Sequence, residues 1–236
     1  MSTDKIRISL RVKVPTEDGT AVMEMTGPAV PENGLQVLGD WVLAALEQHA
    51  DDTAEAARPV IAALRDWDWE GDDVLADQLD ALLGSGAMPG LRPLQVDLDE
   101  LVGILEGDPV YGGGRVDVAT GEVWPASAVD YAREIGQEDE DESDDPDKWL
   151  WVHCEGSRDG YRDMELFIGT VHDPGRADRL EIAISGRGAF RRFKDVLARW
   201  PGELDRWHAF SAERQRGRAR ACPLRIGVLL SPAADG

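Results

Sequence analysis

The spacing of the apolar residues changes along this chain, and that change restricts its fold more than any other feature. Near the start, apolar and polar residues alternate from Ile6 to Val14, which is typical of a strand with one buried face. Further along, apolar residues recur at helical spacing within 35–46, 74–82 and 98–105. We therefore predict an α+β protein.

Residues 1–83 are predicted to form an N-terminal β-hairpin followed by helices. Residues 16–19 supply a turn after the first strand, and residues 20–25 can return as its partner. A further helix is expected over 55–66, where Pro59 weakens it.

The chain is predicted to divide after its first 83 residues. Residues 84–93 are rich in Gly and Pro and have no apolar period, so we take 84–95 as a linker. The second region covers 96–225. Residues 226–236 form a tail, which is either a short strand or a loosely held extension.

The second region is predicted to begin with a small antiparallel sheet and to end in helices. Thr120-Gly121 separates two short extended segments as a hairpin turn would, and residues 148–154 alternate as a further strand. The most regular helix is expected over 189–200. Its predicted buried face consists of Phe190, Phe193, Leu197 and Trp200.

Charge is distributed unevenly along the chain. The net charge is −21, but residues 176–225 hold 13 Lys and Arg against 6 Asp and Glu, so this window carries +7 and the remainder −28. Either the two regions face each other, or the basic region meets an anionic partner. Residues 137–147 read QEDEDESDDPD, and this run of like charges is predicted to be a mobile loop.

Length and composition indicate an ordinary globular protein of a reducing cytoplasm. A chain of 236 residues that is 42% hydrophobic can bury a core without covalent cross-links. It has no signal-peptide pattern and no long apolar run, so we expect neither secretion nor membrane insertion. Cys154 and Cys222 lie far apart and support neither a disulfide framework nor a zinc site.

Two longer stretches carry a family resemblance: GYRDMELFI at 160–168 and SGRGAFRRFKDVLARWPGELDRWHAF at 185–210. Together with DLDEL at 97–101 and TGEV at 120–123, they resemble the bacterial uncharacterised protein family numbered 0158 over about residues 96–221. The resemblance implies a small α+β bacterial protein without an established activity. It carries over no catalytic residue.

One segment is a candidate anion-binding site. Gly186 and Gly188 precede the predicted helix, whose first N–H groups lack intrahelical partners and can bind a phosphate. The basic side chains beside this turn are Arg187, Arg191, Arg192 and Lys194. Alternatively, Gly186 ends the preceding helix and the basic residues pair with nearby acids.

Other chemistries have weaker support. The arginines at 214, 216, 218 and 220 recur at every second position, which spreads them around a helix instead of forming the single stripe that suits duplex binding. The four His residues form no metal-ligand or triad spacing, so we predict no catalytic residue, no metal site and no cofactor. Trp67 and Trp69 flank Asp68 and are expected to pack between helices.

These observations favour a non-enzymatic protein-interaction or regulatory module with an unidentified protein partner. The first alternative is phosphate or nucleic-acid binding through the Arg-rich C-terminal helices. The second is an enzyme whose site is assembled from residues that are distant in the sequence.

Overall fold

The computed structural model describes residues 7–12, 34–48, 53–85, 91–107, 112–136, 145–154 and 156–226. Within these ranges, the strands are β1 (Arg7–Val12), β2 (Leu91–Val96), β3 (Gly114–Asp117), β4 (Val123–Pro125) and β5 (Trp149–Val152). The helices are α1 (Leu35–Glu47), α2 (Thr53–Trp67), α3 (Asp72–Leu82), α4 (Leu98–Leu105), α5 (Ala126–Glu134), α6 (Ser157–Gly169), α7 (Pro174–Ile184), α8 (Ala189–Leu197) and α9 (Pro201–Ile226). The predicted α+β class with a helical C-terminal half is confirmed.

Three predicted segments fall wholly or largely outside the described residues. They are the turn and returning strand over 16–25, the acidic loop over 137–147, of which 145–147 are described, and the tail beyond residue 226. These assignments stay predictions.

Strand β1 pairs in parallel with β2, from Arg7 beside Leu91 to Val12 beside Val96. Parallel strands need a long crossover connection, and α1, α2 and α3 lie between these two in the chain. Most of β2 falls in the segment that the sequence assigned to the linker, because Pro93 breaks its apolar pattern. Proline is tolerated in a strand at a sheet edge, so β2 can form around it.

The second sheet has β3 between β4 and β5, antiparallel to both. This order confirms the hairpin predicted around Thr120-Gly121 and the strand predicted within 148–154. Gly121 has a φ of 77°, and a Cβ atom there would collide with the carbonyl oxygen of Gln95. Glycine therefore both closes the turn and allows β2 to approach it.

The buried apolar side chains form three clusters. One lies among α1, α2 and α3, one between α4 and the strands β2 to β5, and one among α6, α7, α8 and the first half of α9. Helix α9 has 26 residues and is therefore about 39 Å long. It packs against α1, α3, α4, α6, α8 and β1, so it connects all three clusters.

Helix α8 confirms part of its predicted face and corrects the rest. Phe193 and Leu197 are fully buried, and Trp200 is partly buried against the same cluster. Phe190 is 39% exposed, so its predicted burial is wrong. It lies in the first turn of α8 against Gly160 and lines an open cavity between α4, α6 and α8, so solvent reaches part of the ring.

Among the described helices, none combines the length and the apolar character that crossing a bilayer requires.

Candidate functional site

The four residues of the predicted anion site lie together and exposed at the start of α8. These are Arg187, Arg191, Arg192 and Lys194. Helix α8 follows Gly188, which has a φ of 74° and gives the helix no side-chain cap. Arg192 donates to the carbonyl oxygen of Ser185, and Arg191 Nε lies 3.8 Å from Asp195 Oδ2. The anion-site hypothesis stays a prediction.

The arginines of α9 from 214 to 220 are engaged within the chain. Arg214 Nε donates to Asp163 Oδ1 at 2.9 Å, and Arg218 donates to Asp163 Oδ2 at 2.8 Å. On another face of α9, Arg216 and Arg220 both bind Asp40 of α1. The alternating spacing thus directs one pair towards α6 and the other towards α1.

A buried polar layer separates the α1–α3 cluster from α9. It consists of Gln36, Asp40, Asp72, Gln78, Glu213, Arg216 and Arg220. Gln36 is its centre: its side chain donates to Asp72 at 2.7 Å, its oxygen accepts from Arg220 at 2.9 Å, and its backbone N–H donates to Glu213 at 2.6 Å. The joint between the N-terminal helices and α9 is therefore polar at its centre.

Burial raises the pKa values of three carboxyl groups in this layer. Loss of hydration raises the pKa of Glu213 to about 7, and hydrogen bonds from Gln36 and Gly34 oppose this only in part. The same cause raises the pKa of Asp72 to about 6. Burial also raises the pKa of Asp40, although Arg220 and Arg216 act in the opposite direction.

Asp72 connects the polar layer to the turn between α2 and α3. Its carboxylate accepts the backbone N–H of Trp69 at 3.1 Å, and its own N–H donates to the Trp69 carbonyl oxygen at 3.0 Å. In this turn Asp68 has a φ of 52°, which is rare for a residue other than glycine. The turn places the rings of Trp67 and Trp69 side by side, with centroids 4.8 Å apart.

An open cavity of about 400 Å³ lies beside this turn, and we call it the aromatic cleft. It is lined by Trp67, Trp69, Phe167, Gly169, Thr170, Val171, His172, Arg206 and Phe210. The two Trp rings are partly exposed, whereas Phe167 and Phe210 are buried at its base. Trp69 packs edge-on against Phe210 with centroids 5.2 Å apart. The cleft is thus an opening in the aromatic core.

Arg206 is the charged group of the aromatic cleft, and it is already held in place. It donates to Glu203 at 2.6 Å, and to both the carbonyl and the hydroxyl oxygen of Thr170 at 3.2 Å. Apolar rings with a few oriented polar groups are the usual composition of a binding site. Across the described ranges, no three His, Cys, Asp or Glu side chains converge to hold a metal ion.

A second cavity of about 270 Å³ lies between α4, α6 and α8. Phe190 and Arg218 contribute to its lining, together with the carboxylates Glu106 and Asp159. Arg218 is bound to Asp163, so its charge is partly satisfied within the chain.

The sequence indicated residues of one wall of the aromatic cleft, but it did not predict the cleft itself. It expected Trp67 and Trp69 to pack between helices, and Trp69 does contact Phe210. The other wall comes from 167–172 and 206–210, which are far away in the sequence. The available signal was a pair of Trp residues around an Asp at the end of a helix.

The chain is an α+β protein whose helical region contains an aromatic cleft on a buried polar layer. Residues 93–222, more than half of the chain, match the model of the Uncharacterised protein family (UPF0158), and the chain belongs to this family. No curated protein and no solved structure matches it. The match covers the cleft wall formed by 167–172 and 206–210, whereas Trp67 and Trp69 precede it.

Proposed function

We propose that this chain is a non-enzymatic protein-interaction module and that the aromatic cleft receives a side chain of its protein partner. The observation that carries the proposal is the pair of partly exposed rings, Trp67 and Trp69, at the mouth of an open cavity. Trp and Arg are the residues most enriched where protein interfaces derive their affinity.

The walls of the cleft are held in place before a partner arrives. Asp72 fixes the backbone of Trp69 from below, and Arg206 is fixed by Glu203 and Thr170. A preformed site binds more tightly than a mobile one, because less conformational entropy is lost on association. This geometry suits recognition of a protruding side chain.

The compartment we propose is a bacterial cytoplasm. Neither cysteine is part of a disulfide: Cys222 is buried, and Cys154 donates from its thiol to the carbonyl oxygen of Leu105 at 3.1 Å. Cysteines outside disulfides are typical of reducing compartments.

A blocking substitution tests the proposal. Gly169 lines the cleft at the end of α6, and a Cβ atom there would have no neighbour within 4 Å. Gly169→Phe is therefore expected to fold normally while its ring obstructs the cleft. Gly103 in α4 is equally open and lies outside the cleft lining, so Gly103→Phe is the matched control.

The three proteins are used as baits in affinity purification from the source organism, with quantitative mass spectrometry. We expect wild type and Gly103→Phe to retain the same partner and Gly169→Phe to lose it. Calorimetry with the purified partner should reproduce this order. If Gly169→Phe retains every partner at the wild-type level, the aromatic cleft is not the binding site.

A further inference from the structure

We infer that the occupant of the aromatic cleft is an aromatic side chain within a basic segment of the partner protein; this inference rests on the proposed function. It concerns two separable properties, the ring itself and the charges beside it.

The arrangement of the aromatic residues around the cleft indicates that the partner's side chain is an aromatic ring. Phe167 packs edge-to-face on Phe210 with centroids 5.6 Å apart, and Trp69 meets Phe210 in the same way. The planes of Trp67 and Trp69 are inclined at 44°, so their rings diverge. An inserted aromatic ring can continue the edge-to-face pattern, which aromatic pairs prefer.

The polar groups of the lining do not favour an anionic occupant. Arg206 binds Glu203 and Thr170, and its guanidinium lies 5.6 Å from the Phe167 ring centroid. Its charge is therefore balanced by a carboxylate and by the face of a ring. A carboxylate or phosphate from a partner would have to compete with Glu203 for it.

The acidic residues that neighbour the lining residues in the sequence favour a basic occupant. Asp66 and Asp68 flank Trp67 in the sequence and are exposed. On the other wall, Asp205 precedes Arg206 in the sequence, and its carboxylate is exposed as well. The whole chain carries −21. Complementary charge raises the association rate and selects a basic partner over an acidic one.

Five-residue peptides test both properties on the full chain. Each has a central para-fluorophenylalanine between two flanking pairs, which are Lys, Gln or Glu, and fluorine NMR measures its binding up to millimolar concentration. We expect the Lys-flanked peptide to bind roughly fivefold more tightly than the Gln-flanked one and the Glu-flanked one to bind most weakly. A Lys-flanked peptide with a central Leu should compete poorly.

Substitutions in the chain locate the effect. Asp66→Asn with Asp68→Asn should remove most of the advantage of the Lys-flanked peptide, and Asn tolerates the positive φ at position 68. The matched control is Asp178→Asn with Glu181→Gln, which removes two exposed charges from α7 and should change nothing. Gly169→Phe should weaken binding of all the fluorinated peptides.

The possible failures are distinct. Equal binding of the Lys-flanked and Gln-flanked peptides would overturn the basic segment, and equal competition by the Leu peptide would overturn the aromatic ring. Absence of binding by every peptide would overturn the whole inference. None of these results alters the partner capture by Gly169→Phe and Gly103→Phe, which decides the proposed function by itself.

Discussion

Gly217 in the middle of α9 lies directly against Gly71, the residue that precedes α3. A Cβ atom at Gly71 would collide with the carbonyl oxygen of Gly217, and one at Gly217 would collide with the carbonyl oxygen of Glu70. Gly71 also has a φ of 87°, which favours glycine. Two glycines therefore allow the turn that carries Trp69 to rest on α9 by backbone contact.

Gly217→Ala is expected to destabilise the protein. Alanine favours a helix over glycine, but here the added methyl group must displace the backbone at Glu70, and such overpacking costs about 1–3 kcal/mol. In Gly103→Ala the new Cβ atom meets nothing within 4 Å, so a gain of up to about 1 kcal/mol is expected. Urea unfolding measures the change in stability of both variants. Equal stability of the two variants would contradict the close approach.

Phe193→Ala is expected to lower the free energy of unfolding by about 3–5 kcal/mol. Phe193 is fully buried and lies 4.9 Å from Trp207 and 6.2 Å from Phe167, measured between ring centroids, so its removal leaves a cavity. Phe190→Ala in the same helix removes a partly exposed ring and should cost less. If the two variants have the same urea midpoint, the assignment of the buried face of α8 is wrong.

Acidification is expected to stabilise the fold through Glu213. Its pKa in the folded chain is about 7 against an ordinary 4.5, so between these values the folded state binds more protons than the unfolded state. The contribution is fully present below the ordinary pKa and is lost as the pH rises through about 7. By itself, this group should lower the free energy of unfolding by up to about 3 kcal/mol over that range.

Glu213→Gln isolates this effect. Glutamine keeps an oxygen that can accept the N–H of Gln36 but does not titrate. Urea unfolding at several pH values should therefore show a flatter pH dependence in Glu213→Gln than in wild type, with Asp72 still titrating in both. Identical pH dependence would show that Glu213 is ionised in the fold at neutral pH.

Local periodicity predicted the elements whose residues are close in the sequence. A turn signal predicted the hairpin at Thr120-Gly121, and helical spacing predicted the burial of Phe193; both are local patterns. The parallel pairing of β1 with β2 joins segments separated by three helices, and no local pattern specifies such a partner.

The same limitation applies to the charges. The sequence presented Arg216 and Arg220 as candidates for a basic surface, but a linear pattern does not reveal that Asp40 meets both of them. Long-range partners decide whether an arginine is a ligand site or part of the interior. The aromatic cleft was not predicted for the same reason, because Trp69 and Phe210 are 141 positions apart in the sequence.

The exposed basic cluster at the start of α8 allows a direct test of anion binding. Arg191 and Arg192 are exposed, and the first N–H groups of α8 have no side-chain cap. If the site binds anions, titration with inorganic phosphate at low salt should shift the amide resonances of residues 187–194 first, and added salt should weaken the effect.

Arg191→Glu with Arg192→Glu should abolish phosphate binding and leave the melting temperature nearly unchanged, because both side chains lie outside the buried Phe193 face. The matched control is Arg158→Glu with Arg162→Glu, which reverses two exposed charges on α6. If all three proteins respond alike to phosphate, the cluster is a solvated surface and not a site.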